Sequence, residues 1–275
     1  MLDGWLGIVP AFKEMLALVF RAFVPNAKSV RAILLASVAA VALSACASNR
    51  IASSPDYSGQ TQTQSQANLA QLSARYKANP RDKTTIIHFA AALRSVGQSG
   101  QAVAVLEQAI SYYPDDANIK VAYAKALSAD GKFAQALNVI EGTIRPDRPD
   151  WNALSVKGAI LDQMGDHTTA RQLYQQALLI SPGQASLEAN IGLSYAMTND
   201  LTKAEQHLRR AVAMPGANGR IRQNLALVLG LQGRFDEARA IYAQVLPPDQ
   251  VKANMAYIRA LLTQQNRWDR IPDAE

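Results

Sequence analysis

From residue 83 onward the chain alternates apolar stretches with polar breaks, and within each stretch the hydrophobic side chains fall at helical spacing. Thr85–Val96 and Gln101–Tyr112 form the first such pair, with Gly97 between them. The pattern then returns at a fixed interval of about 34 residues. Ala102, Ala136, Ala170, Ala204 and Ala238 form one column at that interval, and Gly97, Gly131, Gly165, Asn199 and Gly233 form another. A third holds the small residues Ala90, Ala124, Gly158, Gly192 and Ala226. Bulky side chains keep step in two more: Leu93, Leu127, Leu161, Tyr195 and Leu229, then Leu106, Ile140, Tyr174, Leu208 and Tyr242. Columns that stay in phase over five units predict five stacked helical hairpins.

Each column has a physical reason. The glycine between the two stretches ends the first helix in the left-handed conformation without a Cβ penalty, and Asn199, the one exception, is the next best residue there. Small residues let the two helices of a hairpin approach closely, while the bulky columns fill the space between neighbouring hairpins. Prolines close the units at Pro80, Pro114 and Pro182, with Pro149 and Pro215 displaced by one. A hairpin of this size cannot bury its apolar face alone, so the units must stack into an all-α solenoid.

The columns resemble the tetratricopeptide repeat, whose pattern pairs W-x2-L-G-x2-Y with a later A-x3-F and a P. Residues 185–216 match through Asn190-Ile191-Gly192-Leu193-Ser194-Tyr195, Ala204 and Leu208; residues 83–114 match through Phe89, Ala90, Leu93, Ala102, Leu106 and Pro114. The resemblance implies a right-handed superhelix of five repeats, 83–116, 117–150, 151–184, 185–218 and 219–252. Lys120 and Glu188 stand in the Trp column and Lys157 in an otherwise apolar one, departures that touch local packing rather than the architecture. A helix over 251–264 is expected to cover the last apolar face, with the tail running on through 253–275. Leu69, Leu72 and Tyr76 predict an N-terminal capping helix, in a segment 68–82.

Upstream the pattern changes. Lys28 and Arg31 precede an uncharged, largely apolar run from Ala32 to Leu43, too short to cross the ~30 Å hydrocarbon layer. These are the proportions of a secretory signal peptide ending in small residues. Leu43-Ser44-Ala45-Cys46 resembles the bacterial lipobox, which implies cleavage before Cys46, acylation of that cysteine and, with Ala47 after it, export to the outer membrane. An ordinary signal peptide or a buried apolar helix is the alternative. Within region 1–45, residues 1–27 are broken by Lys13, Glu14 and Arg21, and read as a start codon placed too early or an extended leader. The Ser-, Gln- and Thr-rich segment 46–67 reads as a flexible tether.

Composition narrows the chemistry. The chain has 275 residues, 49% of them hydrophobic and 18% charged, with a formal charge of +6. Of its 28 Lys+Arg and 22 Asp+Glu, four and two precede residue 46. The remaining surplus is too thin for a nucleic-acid face, so no nucleic-acid partner is expected. One cysteine excludes an internal disulfide and thiolate metal clusters. His88, His167 and His207 fall in three different repeats, Asp166-His167 reads as a solvated pair, and no phosphate-loop, H-E-x-x-H or G-x-S-x-G motif occurs. Neither an enzyme nor a metal or cofactor site is expected. The expectation is a binding module.

By the resemblance, the binding groove is the concave face, lined by the first helix of each hairpin. Arg94, Asn118, Lys125 and Asp162 occupy its positions in the early repeats, and Leu193, Met197, Leu227 and Leu231 in the later ones. Asn190 and Asn224, one repeat apart, stand where peptide-binding relatives place a backbone-bonding asparagine. The alternative is that the leucines pack onto neighbouring helices and the asparagines are repeat consensus. With Leu193 and Met197 in place of carboxylate-clamping basic residues, an apolar strand or amphipathic helix is the expected ligand.

The run Arg222-Gln223-Asn224-Leu225-Ala226-Leu227-Val228-Leu229, with Leu231-Gln232-Gly233-Arg234-Phe235, Leu246-Pro247-Pro248 and Asn254-Met255-Ala256-Tyr257, resembles the TadD family of tight-adherence (Tad, Flp-type) pilus assembly lipoproteins. That resemblance implies a lipid-anchored protein on the periplasmic face of the outer membrane. Its partner would be the pilus secretin or another component of the Tad apparatus. The alternative is a periplasmic scaffold or activator for cell-wall synthesis or outer-membrane assembly; an enzyme regulator is a third reading.

Overall fold

The computed structural model describes residues 62–268, with side chains over 63–263. Cys46, the lipobox and the expected signal region lie outside the described residues. Twelve helices and no strands occur among the described residues. The first is α1 (Gln62–Ala78). Five hairpins follow: α2 (Lys83–Ser95) with α3 (Ser99–Tyr112), α4 (Ala117–Ala129) with α5 (Phe133–Glu141), and α6 (Trp151–Gln163) with α7 (His167–Ile180). Then come α8 (Ala185–Met197) with α9 (Leu201–Ala213), and α10 (Gly219–Leu231) with α11 (Phe235–Ala243). The last is α12 (Pro248–Trp268).

The turn column behaves as its chemistry requires. Gly97, Gly131, Gly165 and Gly233 have φ of 78°, 78°, 90° and 81°, and Asn199 follows at 59°. Helix starts rest on a second column that was not singled out in the sequence. Asp82, Asp116, Asp150 and Asn218 stand one residue before α2, α4, α6 and α10, and each side chain accepts a backbone N–H of the first turn. Asp166 and Asp200 do the same for α7 and α9.

These caps make stability acid-sensitive. Hydrogen bonds from Thr85 hold the Asp82 carboxyl below its usual value, and Thr169 and Lys203 do so for Asp166 and Asp200. Burial opposes the charge on Asp116, but the Lys83 ammonium and the Ile119 and Asn118 amides outweigh it, so its carboxyl is lowered as well. A carboxyl depressed by folding stabilises above its unfolded pKa, about 3.9. That contribution is lost as pH falls through the lower folded values. The melting temperature is therefore expected to fall in two stages, first as pH drops through about 6.5, because burial holds the His88 imidazole below its usual value, and again below about pH 4 as the caps protonate, which thermal circular dichroism would register.

Both ends extend the repeat by half a unit. Leu72 of α1 is buried and stands one repeat before Leu106, so α1 packs on α2 as a second helix would. Tyr76 stacks on Phe89 with ring centroids 5.1 Å apart. The helix starts at Gln62, inside the stretch expected to be tether, because nothing from 62 to 78 is Gly or Pro and Leu69, Leu72 and Tyr76 give it an apolar side to bury. At the other end, Met255 of α12 stands one repeat after Ile221 and is buried likewise. This helix, too, is longer than the 251–264 expected, starting with Pro248 at its first turn, where a missing N–H costs nothing.

Two large apolar clusters fill the solenoid. One runs from Leu72 to Ile160 and the other from Ala185 to Ile258. Only two small groups, around Leu154, Ala177 and Leu187 and around Ala170, Tyr174 and Ile191, lie between them. This discontinuity falls on α7, the second helix of the third hairpin, whose buried residues belong to neither large cluster.

Candidate functional site

Successive first helices, from α2 through α4, α6, α8 and α10 to α12, touch one another, whereas the backbones of successive second helices do not. The first helices therefore form the narrower, inner wall of the array. On α8, Asn190, Leu193 and Met197 recur at i, i+3 and i+7, and on α10 Asn224, Leu227 and Leu231 recur at i, i+3 and i+7, so each trio shares a helix face. Because α8 and α10 are neighbours, the two trios lie on adjacent strips of this wall.

Their exposure differs. Met197 is 50% exposed, the most open of the set. Leu193, Leu227 and Leu231 are half-buried, and Leu227 also packs on the C-terminal apolar cluster. Asn190 Nδ2 donates to Ser155 Oγ on α6 at 3.2 Å, while Asn224 is half-buried. Arg94 lies in the last turn of α2 and Lys125 on α4, where its Nζ donates to Asn152 Oδ1 at 3.1 Å. Asn118 opens α4 and is half-buried. The basic residues and the apolar trios thus share a wall but are separated along it by α6.

Asp162 does not belong to that wall. Its side chain is buried, and its two carboxylate oxygens take three contacts: from Tyr174 Oη at 2.9 Å, Ser194 Oγ at 2.7 Å and His167 Nδ1 at 2.9 Å. Burial and the facing Asp162 charge both push the Tyr174 hydroxyl up, so it stays a proton donor. Gly158 makes room for the Tyr174 ring, since a Cβ there would come within 2.7 Å of Cε1. His167 is therefore paired with Asp162 rather than with its sequence neighbour Asp166, and is not a solvated group. The sequence did carry a clue: Tyr174 puts a hydroxyl into a column otherwise filled by Leu, Ile and another Tyr, and a buried hydroxyl needs a partner.

A second cluster sits beside it. The His207 ring stacks on Tyr195 at 5.5 Å and its Nδ1 contacts Glu188 Oε2 at 2.7 Å. The Arg171 guanidinium lies 4.6 Å over the same Tyr195 ring and bonds the Ser194 carbonyl. Glu188 in the Trp column is thus met by the His207 ring, with the Arg210 guanidinium at 3.6 Å, and Lys157 is met by Glu141 at 2.9 Å. These are cross-helix struts. Among the described residues no group of three or more His, Cys, Asp or Glu is placed to hold a metal ion, and no helix is long and apolar enough to cross a membrane.

Comparison with known proteins agrees with this geometry at the level of the fold. A family model described as tetratricopeptide repeat matches residues 93–160 and 195–264, and a second one of the same description matches 152–184. Tetratricopeptide repeat protein 36 of Homo sapiens is 35% identical over 91 residues, which is 32% of this chain and 48% of that protein. The Bos taurus protein is 36% identical over the same shares. The chain thus spans about half the length of the curated relatives it matches. Among solved structures, the thermophilic repeat protein TTC0263 of Thermus thermophilus superposes with a TM-score of 0.55 at 22% identity, over 71% of this chain and 99% of that one. The APC/C hetero-tetramer Cut9-Hcn1 gives 0.55 at 15% identity, over 78% and 41%.

Proposed function

We propose that this chain, which belongs to the tetratricopeptide-repeat family, is a non-catalytic scaffold that receives an apolar protein segment on the inner wall of its fourth and fifth hairpins. The observation that carries this reading is the pair of adjacent strips Asn190–Leu193–Met197 and Asn224–Leu227–Leu231. Met197 stands half exposed among them, while the Asn190 carboxamide bonds Ser155 and Asn224 is half-buried. Apolar side chains would be gripped by the leucines and Met197, and a backbone by the asparagines. Lys125 and Arg94, further along the wall, would meet a charged extension of the same ligand.

The cell-level reading rests on the sequence. The lipobox-like Leu43–Cys46 supports an acylated Cys46 at the outer membrane, facing the periplasm. The Arg222–Phe235 run and the segments after it support a role in Tad pilus assembly, with the secretin as partner. Each buried acyl CH₂ contributes about 0.8 kcal/mol, so several chains hold the protein firmly where one would not. Cys46→Ser is expected to move the protein from the membrane fraction to the soluble one. An unacylated Cys46 in the intact mass of the membrane-derived protein would contradict the anchor.

The partner is tested by Met197→Glu, which charges the patch at its most exposed point and leaves the core alone. The expected result is a folded, lipidated protein in cells that lose secretin multimers and surface pili. Normal multimers on a gel, with an unchanged circular dichroism spectrum, would sink the secretin reading. They would leave the scaffold to another envelope machine, such as one for cell-wall synthesis.

A further inference from the structure

We infer that the end of the described solenoid at α12 is a second docking site, built to take an acidic amphipathic helix from a partner protein in the position that a second helix occupies in each hairpin. The inference is independent of the inner-wall reading and of the Tad assignment. In each of the five hairpins, the small-residue column of the first helix (Ala90, Ala124, Gly158, Gly192, Ala226) is buried. Its Gly158 and Gly192 lie directly against the hairpin's own second helix, at Tyr174 and Leu208. α12 continues that column with Ala260, one repeat after Ala226, and buries Val251, Met255 and Ile258 on the preceding hairpin. Gly230 admits Ile258 so closely that a Cβ would come within 2.7 Å of its Cδ1. Yet Ala256, Arg259, Ala260 and Thr263, the side that should meet a second helix, are all exposed. Among the described residues, α12 is a first helix with its partner side bare.

A cavity of 550 Å³ opens between α11 and α12. Leu246, Val251, Met255 and Ala256 give it an apolar floor, and the exposed Arg239, Lys252 and Arg259 stand around it, with no carboxylate among its lining residues. Part of the positive charge is engaged only loosely: Arg239 reaches Asp236 at 3.4 Å where both are open to solvent, and the Arg259 guanidinium rests 5.6 Å over the Phe235 ring. An apolar slot edged by three cations complements a helix with a narrow apolar stripe flanked by Glu or Asp. A second copy of this chain fits poorly, because α1, the unpaired second helix among the described residues, carries Arg75 and Lys77 in its last turn and would bring like charge to the rim.

The test uses a fluorescent 14-residue synthetic peptide, the length of α3 and α7. It carries the Ala-x3-Leu-x2-Ala spacing of Ala204, Leu208 and Ala211, with Glu at the flanking positions; a sister peptide has Lys there. Fluorescence anisotropy on the full chain is expected to show the Glu peptide binding about tenfold or more tightly than the Lys peptide. Lys252→Glu with Arg259→Glu should reverse that preference, and Ala260→Arg, at an exposed position that leaves the fold intact, should weaken both. Equal binding of the two peptides, no binding, or indifference to Ala260→Arg would overturn the inference. So would a dimer in sedimentation velocity that Ala260→Arg dissolves, since the face would then belong to a second copy. Tighter Glu-peptide binding by Asp273→Lys with Glu275→Lys would overturn it too, by assigning the cavity to the chain's own acidic end.

Discussion

Gly192→Val is expected to lower the melting temperature by about 6–12 °C, from a cost of about 3 kcal/mol in a domain of this size. Gly192 is buried in α8, and a Cβ there would lie 2.8 Å from Leu208 Cγ, 3.0 Å from the Ala204 carbonyl oxygen and 3.3 Å from the Leu208 amide nitrogen. A side chain can rotate away from such a clash, but two of these three atoms are backbone of α9. The helices of the hairpin must therefore separate, and both Leu208 and Ala204, fully buried now, would lose contact. Gly183→Val is the control: nothing lies within 4 Å of its Cβ and its φ is ordinary, so it should melt close to the parent. Gly165→Val separates a second cause, since its surroundings are equally open but φ is 90°, a region a β-branched side chain resists. Thermal circular dichroism of the three variants decides. If Gly192→Val melts with Gly183→Val, the register of α8 against α9 is wrong.

The hairpins were legible in the sequence because their determinants are local and repeated. A turn that needs positive φ admits Gly or Asn and little else, and two helices at close range admit Ala or Gly, so both requirements print themselves once in every repeat. The direction in which a polar side chain points was not legible, because it is set by residues in other helices. Asp162 occupies a groove position by repeat register, yet Tyr174 on α7 and Ser194 on α8 draw it inward. Glu188 and Lys157 likewise break the apolar columns on paper and are met in space by His207 and Glu141. The groove strips were readable as faces of α8 and α10, but only the folded chain shows Met197 open and Leu227 leaning on the core. The bare side of α12 leaves its trace as Ala260, a member of the small-residue column with no following second helix among the described residues.

Asp162→Ala is expected to divide the solenoid's unfolding in two. In a stacked array, each hairpin is stabilised by its own packing and by its interfaces with its neighbours, so cooperativity passes through the weakest interface. Here the two large apolar clusters end at Ile160 and begin again at Ala185, and the Asp162 network ties α6 to α7 and α8 across that break. Removing the carboxylate leaves the Tyr174 and Ser194 hydroxyls and the His167 ring without their acceptor, in a place where Ser194 and Tyr174 are essentially sealed from water. Losing hydrogen bonds to a charged group and stranding buried donors costs about 3 kcal/mol. The Ser194 part of that loss acts on the interface between the third and fourth hairpins, and the Tyr174 and His167 parts act within the third hairpin itself. Urea denaturation followed by far-ultraviolet circular dichroism should therefore change from one transition to two, with the half less stable alone unfolding first. Asp162→Asn keeps the volume and one carbonyl acceptor, so it should fall between the parent and Asp162→Ala. A single transition in Asp162→Ala, merely shifted to lower urea, would mean that the small apolar groups around Leu187 and Ile191 couple the halves without help from the carboxylate.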